Sequence, residues 1–166
     1  MGFGVENHIL NSLVLFSHKG DYGMSKWKIT KLTVLLLREN RRPGEVSSIC
    51  QVYEDTNITP ALLDDISTQL LQGKIKRIEI DNETEQIGMT IFVDGQKSQI
   101  GIVDEWNGLI YYYSSGNHSQ RTVDICGSSF EEWMICNQPK TMLSILRKFI
   151  ESGEKLNTVL WVSEEI

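Results

Sequence analysis

The sequence predicts an α+β fold: an antiparallel β-meander of about five strands, two main helices packed on one of its faces, and a final short strand. Three observations carry this reading. Short runs rich in β-branched residues recur between residues 75 and 126, separated by Asp94-Gly95 and Asn107-Gly108, pairs suited to tight hairpins. Two stretches, following Pro60 and Pro139, place apolar residues at helical spacing along one stripe each. With 166 residues the chain is the length of one domain, and a domain of that size buries roughly 70% of the surface its unfolded chain exposes.

In chain order, Ile9–Phe16 fits a strand or a helix equally well, and Thr33–Leu37 reads as a strand because it turns continuously apolar at Val34. Arg41-Arg42-Pro43-Gly44 reads as a turn. Thr59-Pro60 opens the first helix as an N-cap followed by Pro at the first helical position, where its missing N–H costs nothing. Leu62, Leu63, Ile66 and Leu70 share a face, and Gly73 closes the helix. The meander follows as Ile75–Ile80, Ile87–Val93, Ser98–Val103 and Leu109–Ser114, with Gln120–Cys126 as a further strand. Asn137 caps a second helix that begins at Pro139, buries Met142, Ile145, Leu146, Phe149 and Ile150, and ends at Gly153. Arg147, Lys148 and Lys155 lie near its C-terminal end, where cations complement the dipole. Thr158–Val162 closes the chain as a strand. Residues 1–166 thus form a single domain, with an α+β core over 56–166 and an N-terminal part, 1–55, to which the sequence assigns little structure.

Composition limits the function. The apolar fraction of 40% and charged fraction of 23% are those of a globular protein. No 18-residue apolar run and no basic leader before Ile9 occur, and the three Cys form no disulfide framework, so the expected setting is the cytoplasm, away from membranes. The net charge of −6 argues against a protein that grips nucleic acid by neutralising phosphates. The charge is also uneven. Residues 26–42 hold six basic residues against Glu39 alone, a net +5, while residues 77–136 hold three basic residues against ten acids, a net −7. An acidic section of this kind steers a basic partner through its long-range field, or is simply the solvated face of a sheet.

Few residues suit chemistry. His8, His18 and His118 are far apart, no Cys-x-x-Cys occurs, and Asp81, Glu83 and Glu85 lack the glycine a calcium loop needs, so no metal or cofactor is expected. Cys126 or Ser114 with His118 would be needed for nucleophilic catalysis, but none lies in a nucleophile elbow. Cys126, at a strand end, reads as a small buried hydrophobe, and His118 as an exposed turn residue.

About half of the chain, from Ile75 to Trp161, resembles immunity-protein family one, bacterial proteins encoded beside contact-dependent growth-inhibition and other polymorphic toxins. The resemblance rests on ordered features: Asn107-Gly108-Leu109-Ile110-Tyr111-Tyr112, then a Pro-led helix from Gln138-Pro139 to Phe149 and Ile150, then Ser152-Gly153 and a closing strand ending at Trp161. The family often carries an acid directly after that Trp; here Val162 and Ser163 precede Glu164 and Glu165. The resemblance implies that Gly108, Tyr111, Phe149, Gly153 and Trp161 are structural positions. It also implies a non-enzymatic inhibitor, without cofactor, that binds a cognate toxin domain, a nuclease or deaminase, and blocks its active site or substrate groove. The expected partner is that basic protein rather than nucleic acid or membrane, bound by a monomer or weak dimer. Toxin-binding candidates are Asp104, Glu105 and Trp106 beside a hairpin tip, Asp81, Glu83 and Glu85 as a second patch, and Glu131 and Glu132 as a third. The alternatives are a non-catalytic adaptor domain and, after it, a small enzyme using Cys126 or His118.

Overall fold

The computed structural model describes residues 28–39, 46–82, 84 and 86–166. Ile9–Phe16, the turn at 41–44, His8, His18, Glu83 and Glu85 therefore lie outside the described residues. The architecture is mixed α and β: one large antiparallel sheet, two helices and a separate two-stranded hairpin. The strands are β1 (Ile29–Glu39), β2 (Val46–Glu54), β3 (Ile75–Asn82), β4 (Ile87–Asp94), β5 (Lys97–Asp104), β6 (Leu109–Ser114), β7 (Thr122–Ile125), β8 (Ser128–Glu131), β9 (Ile135–Cys136) and β10 (Leu160–Glu165). The helices are α1 (Pro60–Leu71) and α2 (Pro139–Ser152).

The sheet order is β10-β6-β5-β4-β3-β1-β2, with β9 pairing β5 at Ser98 and Gln99, beyond the stretch of β5 that pairs with β6. The expected meander corresponds to β3 through β6, four consecutive neighbours rather than five. The expected further strand at Gln120–Cys126 is instead β7, which leaves the sheet and pairs only with β8. Its place beside β6 is taken by β10, which pairs from Leu160↔Ser114 to Glu165↔Leu109. At the other side, β1 inserts between β2 and β3. The strand expected at Thr33–Leu37 is 11 residues long, because its polar residues, Lys31 and Thr33, occupy the face away from the core.

Turn chemistry also differs from expectation. Asp94 pairs with Lys97, so the central turn residues are Gly95 and Gln96, and only Gly95 has positive φ. Asp104 pairs with Leu109, which makes the second turn four residues long rather than two. The hairpin with positive φ at both central positions is β7–β8, at Cys126 (φ 54) and Gly127 (φ 81). Cys126 is accordingly an exposed turn residue, not the expected buried hydrophobe; its Sγ lies 3.1 Å from the Val93 carbonyl.

Alternation along the strands builds one core. Leu32, Val34, Ile78, Ile80, Met89, Ile91, Ile100 and Ile102 are buried on one sheet face with Leu63, Ile66 and Leu70 of α1 and Met142, Ile145, Leu146 and Phe149 of α2. The Thr59 hydroxyl accepts from the Leu62 amide at 3.2 Å and caps α1. At its end the Gly73 amide bonds Leu70 O and the Lys74 amide bonds Gln69 O, both at 3.0 Å, a Schellman closure. The cap position of α2 is Gln138 rather than Asn137; its side chain accepts from the Thr141 hydroxyl at 3.1 Å rather than capping a helix amide, and Gly153 (φ 67) ends the helix in the left-handed conformation. Arg147 does not serve the helix end alone. Its guanidinium reaches Asp64 Oδ1 at 2.7 Å and Ser67 Oγ at 3.2 Å, tying α2 to α1. No helix among the described residues is long and apolar enough to cross a membrane.

Candidate functional site

Strand register gathers the acids. Because neighbouring strands are antiparallel, the ends of β2, β3, β5 and β10 fall at one end of the sheet. That end carries Glu54, Asp55, Asp81, Asp104, Glu105, Glu164 and Glu165, contributed by segments as far apart in the chain as β2 and β10, against Lys28, Lys31 and Lys155. The turn joining β5 and β6 is fixed to the β3–β4 connection by the Glu105 amide, which donates to Gln86 O at 2.8 Å, and to the C-terminus by Ile166 N donating to Gly108 O at 3.0 Å. Asn82, nearly fully buried, holds the same connection: its Oδ1 accepts from the Ile87 amide at 3.2 Å.

The candidates separate into three situations. Glu105 and Trp106 are exposed, Trp106 at 66%. Asp104 is occupied with structure: its carboxylate accepts from the Asn107 amide at 3.1 Å and from Asn107 Nδ2 at 2.8 Å, forming the turn that presents its neighbours. Asp81 lies on the face away from the core, opposite Gly88; a Cβ on Gly88 would stand 3.0 Å from its Oδ1. Glu131 and Glu132 are not part of this rim. They follow β8, where Trp133 O accepts from the Ser115 amide at the opposite end of β6, and the Trp133 indole N–H donates to the Glu131 carboxylate.

Behind the rim, the positions that resemble family residues serve the fold. Phe149 is fully buried. The Trp161 indole N–H donates to Leu156 O at 2.9 Å while its ring packs against the core. Lys155 Nζ stands 3.2 Å from the centroid of the Tyr111 ring. Desolvation lowers the Lys155 pKa, opposed by the nearby Asp104 carboxylate, and desolvation followed by that same carboxylate raises the Tyr111 pKa. Lys28 Nζ meets Asp55 Oδ1 at 2.6 Å, so this cation offsets the far field of one rim carboxylate, while the exposed pair adds little stability.

Sequence reasoning missed the contributions of Glu54, Asp55, Glu164 and Glu165 to the rim, since only the register of β2 and β10 brings them there. It also missed an apolar strip on the outer face of the sheet, where Leu160 (62%), Val162 (40%) and Val103 (37%) are exposed beside half-buried Ile110 and Tyr112. The signal was present in the unbroken apolar runs Leu109–Tyr113 and Val159–Val162, which lack the polar alternation of a strand with one wet face.

His118 is exposed, as expected of a turn residue, and among the described residues no three His, Cys, Asp or Glu converge as metal ligands. Two shallow surface depressions, one lined by Lys28, Lys31, Glu54 and Asp55 and the other by Leu36, Arg38, Ile49 and Lys74, contain neither Cys126 nor His118. No family model matches the chain, and no curated protein matches it. Among solved structures it is similar to a hypothetical protein from Neisseria gonorrhoeae, with a TM-score of 0.56 and 15% identity over 83% of this chain and 98% of that one. That likeness is one of fold.

Proposed function

We propose that this chain is an immunity protein that binds a cognate toxin domain, a nuclease or deaminase of a contact-dependent growth-inhibition or similar polymorphic toxin system, and blocks its active site or substrate groove. The observation that carries the reading is the acidic end of the sheet: seven carboxylates from separate segments brought to one rim, with exposed Trp106 beside them. A toxin that grips nucleic acid presents a basic groove, and a fixed rim of carboxylates occupies it in place of phosphates. Two-stage capture follows from the same geometry. The field of the rim speeds encounter, and an aromatic side chain that loses water in contact supplies the anchor. The function is inhibition by occupancy, in the cytoplasm, one protein per toxin domain.

Purification of the tagged protein with the toxin domain encoded beside it tests this reading, first at low and then at moderate salt. A stoichiometric complex whose association slows as salt rises is the expected result. Elution of the two proteins apart at both salts overturns it.

A further inference from the structure

The helices cover one face of the sheet only. On the other lies the β7–β8 hairpin, which reaches Phe92 through Phe130, ring centroids 5.7 Å apart. The rest of that face has an order set by register. One cross-strand row runs Val162–Tyr112–Gly101–Thr90–Glu79, and the next runs Glu164–Ile110–Val103–Gly88–Asp81. In the first row Val162 and Tyr112 give way to Gly101 and Thr90 and then to Glu79; in the second, Ile110 and Val103 lie between Glu164 of β10 and Gly88 and Asp81 of β4 and β3. With strands about 4.8 Å apart, Val103 lies about 10 Å from Asp81, and Tyr112 about 14 Å from Glu79 with Gly101 and Thr90 between them.

Resting on the immunity reading, we infer that this outer face is the toxin-docking surface, and that its occupant is a segment of the basic toxin domain carrying an apolar side chain followed by Arg or Lys. The apolar strip takes the first; Glu79 and Asp81 receive the second. Gly101 stands mid-strand in β5, where Gly otherwise weakens a strand, and the Cβ it lacks leaves the partner's backbone room to approach the sheet; the space over Gly88, near the start of β4 and opposite Val103, is taken by the Asp81 carboxylate. An apolar centre bordered by charge is the anatomy of a protein interface. Lys31, in register with Asp81, and Arg77, beside Glu79, offset part of the charge at its border, but Glu54, Glu79, Asp81 and Glu164 outnumber them on this face, and the excess favours a cationic partner over a second copy of this chain. Arg77 Nε lies 3.2 Å from Glu79 Oε1, but this exposed pair is held weakly enough for a partner's guanidinium to replace it.

The test is the affinity of the purified full-length protein for the toxin domain encoded beside it, by calorimetry, for wild type, Val103→Arg, Thr90→Arg and the control pair Glu131→Lys/Glu132→Lys. Thermal melts and circular dichroism establish that each variant folds, and Gly101→Ala offers a milder change because a Cβ there meets only ordinary contacts beyond 3.7 Å. Either outer-face arginine is expected to weaken binding by about 100-fold, with the control unchanged. A folded Val103→Arg that binds as wild type overturns the docking face and leaves the immunity reading standing. Absence of wild-type binding overturns both. Self-association of the free protein that Val103→Arg abolishes gives the face to a second copy, and a rise in the solvent exposure of the Tyr112 side chain when residues 1–27 are removed gives it to the chain's own amino-terminal segment; each overturns the inference.

Discussion

The amide of Glu105 donates to the carbonyl of Gln86 across 2.8 Å, which locks the β5–β6 turn to the β3–β4 connection. That bond fixes the turn of Asp104 and Glu105 beside the end of β3, while strand register brings the other acids to the same surface. The rim's shape therefore depends on backbone pairing rather than on the acids themselves, so individual carboxylates can be exchanged without unfolding the protein.

Reversal of charge at two exposed positions of the rim, Glu105→Lys with Glu164→Lys, is expected to slow association with the toxin domain by 10- to 100-fold at low salt, an order-of-magnitude figure for lost steering. Stopped-flow mixing measures it, and the difference should shrink as salt rises. Stability should hardly change, because surface substitutions of this kind fall within about 0.5 kcal/mol.

Asp104 should behave differently. Its carboxylate makes both Asn107 hydrogen bonds, so Asp104→Ala is expected to destabilise the fold by about 1 kcal/mol, read from denaturant midpoints. Asp104→Asn, which keeps an acceptor oxygen, should recover part of that loss.

Truncation in the core should be far more costly. Phe149 is fully buried in the core cluster, and Phe149→Ala is expected to cost about 3–5 kcal/mol in equilibrium unfolding.

Alkaline pH should loosen the fold through its tyrosines. Burial raises the Tyr111 and Tyr113 pKa values above the ordinary 10.0, so the protonated phenols favour the folded state. Their contribution is complete below pH 10.0 and is lost as pH rises through the folded values. Lys155 acts in the opposite sense. Its lowered pKa makes its charge a cost to the fold, relieved as pH approaches the ordinary 10.5. Tyrosinate absorbance and unfolding free energy, measured together from pH 8 to 12, should show phenol ionisation delayed beyond that of the unfolded chain, and Tyr111→Phe should reduce the alkaline loss of stability.

Local chemistry made much of this fold legible. Pro60 and Pro139 with their apolar stripes located both helices, Gly73 and Gly153 their ends, and β-branched runs the strands from Ile75 to Ser114. What local chemistry does not contain is pairing. Thr122–Ile125 has the composition of a sheet strand, but Cys126-Gly127 folds it onto β8, and the vacancy beside β6 is filled by β10 from the far end of the chain. The strand β2 escaped notice because Ser47, Ser48 and Gln51 break its apolar pattern at the edge of the sheet. The site shares this division. Asp104-Glu105-Trp106 could be read from a turn signal, whereas Glu54, Asp55, Glu164 and Glu165 join it only through register, and Glu131 and Glu132, equally acidic in sequence, fall at the other end.

Growth of cells that express the neighbouring toxin domain, with and without this protein, tests the central claim most directly. Full growth with the wild-type protein, and toxicity restored when Glu105 and Glu164 are both changed to Lys in a protein that still folds, is the predicted result. Growth arrest that the wild-type protein does not relieve, at equal expression of the two, would contradict the account.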